Sequence, residues 1–404
     1  MDLFSGSGVV AAHLARRRAV TAVDIQEFAR VLASALLSPA RLRPAAVCEL
    51  EASAGRLAGA AGRTGLGALV RCERAAVEAL ANGEPEPLCT IVERGSLVAF
   101  AHGEGPVAGP LADALAEATG SIEGLGPPLT LTRHYGGVYF SYAQALRLDC
   151  LLAVVRALPA SQRDTGLAAL MGAASECVTS VGNHFAQPVR PRDKRGAPKP
   201  ATLRTAARRR ERDVFAAFAR RLGHYGALPG AAKAWGALNQ DYRAFLASHD
   251  EPVAAVYADP PYTRDHYSRF YHVLETIAKG DVPGISTVKV SGAAALSRGL
   301  YRNDRHQSPF CIRTQAPDAF RALFRGIRHM DAPLVLSYSP YRVGTAARPQ
   351  PRLLTVREVA DIALETFSEV VVQSAGRLRH SKFNAARLNG AVEHHAEALL
   401  VCVP

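Results

Sequence analysis

A chain of 404 residues has room for one large domain or roughly two to three smaller ones, and a hydrophobic share of 48% is enough for a sizeable core. The formal net charge of +12 favours a polyanionic partner, most simply nucleic acid, although an arginine-rich composition makes any protein basic. The seven cysteines (Cys48, Cys72, Cys89, Cys150, Cys177, Cys311, Cys402) form no Cys-x-x-Cys pair, so neither a zinc site nor a disulfide framework is indicated; with no apolar run of membrane length and no signal peptide at the start, a reducing cytoplasm is the expected compartment.

In chain order, Asp2-Leu3-Phe4-Ser5-Gly6-Ser7-Gly8 reads as a strand end running into a glycine turn, followed by a helix over 9–18. Gly6 and Gly8 let the backbone turn tightly and a ligand come close, and the helix start behind them favours a charged or polar ligand end. Ala19 to Val23 reads as a second strand ending in Asp24, an acid placed to bind a ribose diol, as in dinucleotide folds. The same pattern also suits an ordinary strand-helix-strand unit with a glycine turn. The first strand has almost no residues before its turn, whereas a strand usually has roughly five or six; a start further upstream is therefore expected.

Residues 26–37 continue as a helix. From Ser38 to Pro128 alanine-rich segments, such as 66–80 and 111–118, have helical spacing punctuated by Gly and Pro, which reads as a helical insert. His102 and Glu104 lie close together but lack a third metal ligand. The stretch from Thr132 to Ser141 is aromatic and glycine-rich, suited to packing with one ring left for a contact, and helices follow over 143–158 and 166–181.

A basic segment comes next: Arg190, Arg192, Lys194, Arg195, Lys199, Arg204, Arg208, Arg209, Arg210 and Arg212, with few acids between them. Charge runs are usually solvated faces; here the scarcity of acids favours phosphate contacts, which give salt-dependent, sequence-independent affinity. Val214, Phe215, Phe218 and Leu222 form an apolar stripe on a basic helix over 208–222, and Trp235 reads as a packing residue.

The run Val253 to Ala258, β-branched and apolar, ends abruptly in Asp259-Pro260-Pro261-Tyr262. It reads as a buried parallel strand whose ladder stops at a proline with no N–H to donate. Asp259 and the Pro260 carbonyl are two acceptors beside the flat face of Tyr262, which suits an exocyclic amino group on a heterocycle at the ligand edge of an open α/β sheet. A plain Pro-Pro turn with a capping Asp fits the tetrapeptide equally well taken alone. In the following run Thr263 to His272, His266 and His272 are read as positioning or packing residues. Residues 280–301 read as a mobile glycine-rich loop, then a helix to about 327, a strand at 333–339, a capping box Thr355/Glu358, and a terminal pair at 369–372 and 398–403 flanking the polar cluster Arg379 to Asn384.

Together these features resemble the S-adenosylmethionine-dependent DNA adenine methylases of the alpha arrangement, in which a cofactor motif, a target-recognition region and a catalytic motif follow in that order. Asp2 to Gly8 looks like the family's Phe-x-Gly-x-Gly element and Asp259 to Tyr262 matches its catalytic tetrapeptide; Gly137 to Phe140, Tyr267 to Glu275 and His380 to Asn384 look similar as well. The resemblance leaves 38–128 unmatched, and the chain lacks the family's cofactor segment upstream of the glycine motif.

The resemblance implies an α/β fold: a Rossmann-like class I methyltransferase sheet with a helical insert and a target-recognition region. The expected layout is a discontinuous core of 1–37 and 250–404, a helical insert over 38–130 and a target-recognition region over 131–249. S-adenosylmethionine is the implied cofactor, held by Asp2, Phe4, Gly6, Gly8 and Asp24. Asp259, Pro260 and Tyr262 are the implied catalytic residues. Arg190, Arg192, Lys194, Arg195, Arg208, Arg209 and Arg210 are the expected contacts to double-stranded DNA, and a restriction endonuclease is an expected partner. Asp at 259, where cytosine-N4 members more often carry Ser, favours N6 of adenine. An RNA base methylase and a catalytically inactive DNA-binding module remain as alternatives.

Overall fold

The computed structural model describes every residue except 123–127, 265, 291, 340–352 and 375–397, so the expected polar cluster at 379–384 lies outside the described residues. Its strands are β1 (Asp2–Leu3), β2 (Val20–Asp24), β3 (Trp235–Asn239), β4 (Val256–Ala258), β5 (Thr287–Val290), β6 (Ala293–Leu296), β7 (Leu334–Tyr338), β8 (Glu369–Ser374) and β9 (Ala398–Val403). Seven of them form one sheet in the order β3-β2-β1-β4-β7-β9-β8. The pairs from β3 through β7 are parallel, and β9 runs antiparallel to both β7 and β8. This is the expected Rossmann-like sheet, with the terminal pair in the place read from the sequence.

The sheet buries one face under aromatic and branched residues. Leu3, Val256, Ala258, Leu334 and Leu336 pack against the helix Ala316–His329, whose buried positions Ala316, Ala319, Phe320, Leu323, Phe324 and Ile327 follow a helical period. A smaller cluster uses Ala11, Ala15, Val20, Ala22, Ala33 and Leu37. Close approach is needed there: a Cβ on Gly8, whose φ is 74°, would lie 2.7 Å from the Cα of Ala33. β1 has only two residues but is paired on both sides, and the amino group of Met1 donates to the Ala255 carbonyl at 3.0 Å.

The chain divides into two compact units, one of residues 1–39, 229–268 and 306–404 and the other of 40–228 and 269–305. The boundaries differ from the expected layout in three ways. Residues 229–249 belong with the sheet, because Trp235–Asn239 adds a parallel edge strand to β2. That strand was missed because Trp-Gly-Ala-Leu-Asn has no β-branched residue, and Trp235 is 41% exposed on it rather than packed. Residues 38–130 and 131–228 are not separate regions: buried Glu73 accepts from the Arg210 guanidinium and, at 2.7 Å, from the Tyr142 N–H. Residues 269–305 belong to the same helical unit, where the Phe185 N–H donates to the Phe270 carbonyl at 3.2 Å and Arg302 binds Asp281.

Two local expectations also change. The single helix expected over 208–222 is two, Pro200–Arg210 and Val214–Gly226, with Asp213 capping the second by accepting from Phe215 and Ala216. The glycine-rich stretch 280–301 contains the antiparallel hairpin β5–β6, and the Glu104 carboxylate accepts the Leu296 N–H at 2.6 Å. Glu104 also pairs with His102 at 3.0 Å, and among the described residues no group of three or more His, Cys, Asp or Glu is arranged to hold a metal. No helix among the described residues is long and apolar enough to cross a membrane.

Candidate active site

Parallel pairing puts the two sequence motifs at one edge of the sheet. β1 and β4 are neighbours, with Leu3 opposite Ala258, so Phe4 and Asp259 leave their strands side by side. β2 flanks β1 with Val23 opposite Leu3, so Asp24 emerges on the other side of the glycine turn. In an open parallel sheet this C-terminal edge is where ligands bind.

The turn after β1 is held by backbone contacts. Ser5 N–H donates to the Val23 carbonyl at 3.1 Å, and Gly6 N–H donates to Asp24 Oδ2 at 3.0 Å. Asp24 Oδ1 accepts from the Gln26 N–H at 2.9 Å. Phe4 has a φ of 61°, a left-handed value uncommon for a non-glycine residue. Its ring is fixed against Tyr242 and Phe310 at 5.1 and 5.5 Å. Gly6 has a φ of 50°, and the nearest atom to a Cβ built there is the Phe4 carbonyl oxygen at 3.8 Å. Ser5 Oγ is buried without a hydrogen-bond partner.

Asp2 departs from the cofactor-contact role expected of it. It is 1% exposed, and its Oδ2 accepts the Ala11 N–H at 3.0 Å inside the adjacent helix. Burial pushes its carboxyl up to about 7, with the Ala11 N–H opposing the rise. Asp2 therefore ties β1 to the helix behind the turn.

At the end of β4, Asp259 is exposed, Pro260 buried and Tyr262 half-buried. The Asp259 N–H donates to the Leu3 carbonyl at 3.5 Å. The Tyr262 ring lies 5.0 Å from that of Tyr338, the last residue of β7, whose hydroxyl donates to the Leu354 carbonyl at 2.7 Å. Ser337 follows Leu336 on β7 as Asp259 follows Ala258 on β4, and those two strands are paired. Sequence reasoning did not single out Ser337 or Tyr338. The available signal was the abrupt polar end of an apolar strand, the same signal that exposed Asp259.

The basic segment is only partly available to a ligand. Arg190, Lys194, Arg195 and Arg208 are exposed. Arg192 is engaged by Glu86 and by Glu93, the latter at 2.8 Å. Arg209 donates to the carbonyls of Val178 and Ser180 at 3.3 and 3.2 Å. Arg210 is 7% exposed, paired with Glu73 and bonded to the Gly137 carbonyl at 2.6 Å. Of the expected phosphate contacts, Arg192 and Arg210 are thus paired with carboxylates of the protein and Arg209 is held by backbone carbonyls.

The aromatic stretch before it is core. Tyr135, Tyr139 and Phe140 are fully buried, leaving no ring of theirs for a base. His272, 1% exposed, packs among them with its Nε2 on the Phe185 carbonyl at 3.1 Å, and burial pushes its pKa down to about 3, so it is a neutral packing residue.

Residues 224–325 match the family model described as D12 class N6 adenine-specific DNA methyltransferase. The matched segment contains β3, β4, the Asp259 to Tyr262 turn and the helix Tyr267–Lys279. No curated protein and no solved structure matches the chain. The match names DNA and adenine N6, and nothing found favours the RNA-directed or inactive alternatives. The segment that carries the Asp259 to Tyr262 turn on the parallel sheet is thus similar to the D12 class N6 adenine-specific DNA methyltransferases.

Proposed function

We propose that the methyl donor is S-adenosylmethionine, held at the turn after β1, and that the target adenine is received by Asp259, Pro260 and Tyr262. The observation that carries this is the register of adjacent parallel strands, Leu3 against Ala258, which brings the two turns to one sheet edge. The residues at the turn suit the donor: a buried, unpartnered Ser5 hydroxyl, backbone opened by Gly6, the Asp24 carboxylate and the half-buried ring of Phe4. When bound, the donor supplies a methyl group activated by a positively charged sulfur.

The chain's own work is positioning. The adenine must leave the stack to be reached. Tyr262, braced by Tyr338, offers its face to the extruded base. The N6 lone pair is delocalised into the ring and is a weak nucleophile. Asp259 and the Pro260 carbonyl accept the two amino hydrogens, which returns the lone pair to nitrogen. So prepared, the amine would take up the activated methyl group that the bound donor supplies. The surplus proton leaves N6 through Asp259, which is exposed and can pass it to water. Alignment of this kind is worth up to about 7–11 kcal/mol of barrier in favourable cases. Exposed Arg190, Lys194, Arg195 and Arg208 contribute phosphate contacts to the duplex. A restriction endonuclease of the same site is the proposed partner, tested by challenging methylated DNA with nuclease from the source cells.

The test is transfer of a labelled methyl group from S-adenosylmethionine to a panel of duplex DNA, single-stranded DNA and RNA. N6-methyladenine in duplex DNA is expected. Label on cytosine, on RNA, or on no nucleic acid would overturn this reading.

A further inference from the structure

The helical unit treats its arginines in two ways. Arg302 is 1% exposed and fully engaged: Asp281 takes two of its nitrogens at 2.7 and 2.6 Å, Asp304 takes two at 2.9 and 2.8 Å, and Thr276 Oγ1 lies at 3.2 Å. Burial alone would lower its pKa, and the two carboxylates more than offset that.

Arg269 and Arg305 are different. Their guanidinium carbons lie 5.4 and 5.3 Å from the centroid of one ring, that of Tyr301. Arg269 Nε and Arg305 Nη1 are buried without a hydrogen-bond partner, and neither residue has a carboxylate partner among the described residues. The arrangement is built rather than loose. Tyr301 donates its hydroxyl to the Ala186 carbonyl and its N–H to Ser297 Oγ at 3.0 Å, and its ring meets His272 edge-on at 5.2 Å. Arg298, exposed beside it, donates to the Val189 carbonyl at 2.9 Å, and Arg190 is near enough to press on its charge.

Two like charges held on one ring with buried, unpartnered donors are an electrostatic debt within the free protein. Burial and the charge of Arg269 both push the Arg305 pKa down, which is the same conflict seen from the proton. An anion on the solvent side of the half-buried pair offsets the repulsion between the two charges. Planar guanidinium forks match the oxygens of a phosphate, and the substrate of this enzyme brings a row of them. The geometry points to a phosphate clamp: Arg269 and Arg305, stacked on Tyr301 with Arg298 and Arg190 at the rim, bind backbone phosphate of the DNA substrate. This rests on DNA being the substrate and adds residues that the charge run at 190–212 did not include.

The test is binding of fluorescent duplex DNA by the full chain at rising potassium chloride. Arg269→Met and Arg305→Met keep an apolar stem on the ring and remove the charge. Each is expected to weaken binding about tenfold and to flatten the log–log salt slope by about one. The corresponding Lys variants are expected to recover the slope. An unchanged slope in folded Met variants overturns the clamp. If the Met variants do not fold, thermal unfolding of the wild-type chain decides. Inorganic phosphate and a short duplex are each expected to raise its midpoint above that in chloride of equal ionic strength. No rise with either overturns the proposal, and a rise with inorganic phosphate alone would assign the site to a free phosphate instead of DNA. A chain whose salt slope falls in the Met variants but which methylates no adenine would defeat the function proposed above and leave the clamp standing.

Discussion

The strand ends of β1 and β4 and the basic segment 190–212 were both conspicuous in the sequence, and they fare differently in the fold. At the strand ends, neighbouring parallel strands in register carry Phe4 and Asp259 to the same edge, and Asp259 stays exposed there. In the basic segment, Arg190, Lys194, Arg195 and Arg208 stay exposed, while Glu86 and Glu93 take Arg192, two carbonyls take Arg209, and Glu73 takes Arg210. A short motif at a strand end inherits its geometry from the sheet. A count of charges does not reveal which are neutralised by residues elsewhere in the chain.

The largest expected effect tests the strand-end half of this contrast. Asp259→Ala should lower the methyl-transfer rate by at least about 10²–10³-fold. Equilibrium binding of S-adenosylmethionine to the same variant should be nearly unchanged, and loss of that binding would place Asp259 in the cofactor site. Next comes Arg210→Ala, which leaves Glu73 buried without its cation. A stability loss of about 3–5 kcal/mol is expected in denaturant titrations. Its folded fraction should keep the wild-type salt slope for DNA; a shallower slope would return Arg210 to the DNA surface.

Arg208→Gln is the counterpart on the exposed side. It should leave stability within about 0.5 kcal/mol and flatten the DNA salt slope by about one. Full retention of the slope would mean that this end of the segment faces only solvent.

A pH-dependent effect concerns Asp2, whose carboxyl is raised from 3.8 to about 7 by burial. Between those values the unfolded chain has lost this proton and the folded chain still holds it. Asp2 therefore contributes a stability that falls as pH rises from about 4 to about 7 and is level above that. The stability of the wild type relative to Asp2→Asn should fall across that window. A gap independent of pH would show that Asp2 is ionised in the fold.

Much of the sheet unit was legible because its signals are local. The glycine turn, the strand ending at Asp24, the Pro-Pro stop after Ala258 and the Thr355/Glu358 capping box all depend on neighbours in the chain, and all are in place. β3 was not legible, because Trp235–Asn239 has little strand propensity of its own and is a strand by pairing with β2. The hairpin β5–β6 was hidden in a glycine-rich stretch for a similar reason; part of its support is a carboxylate from Glu104, far away in sequence.

The sequence by itself determined the chemistry: an Asp, two prolines and a Tyr at the end of an apolar strand, a glycine turn with an acid after the next strand, and an excess of positive charge. Backbone geometry and residue type are local properties, so they can be read in order. Only the tertiary structure decided that Asp2 is buried against a helix while Asp259 is exposed, that Arg210 belongs to Glu73, and that Arg269 and Arg305 share Tyr301 without a carboxylate among the described residues. Burial and charge pairing depend on which distant residues arrive beside a group, and that is known only once the chain has folded.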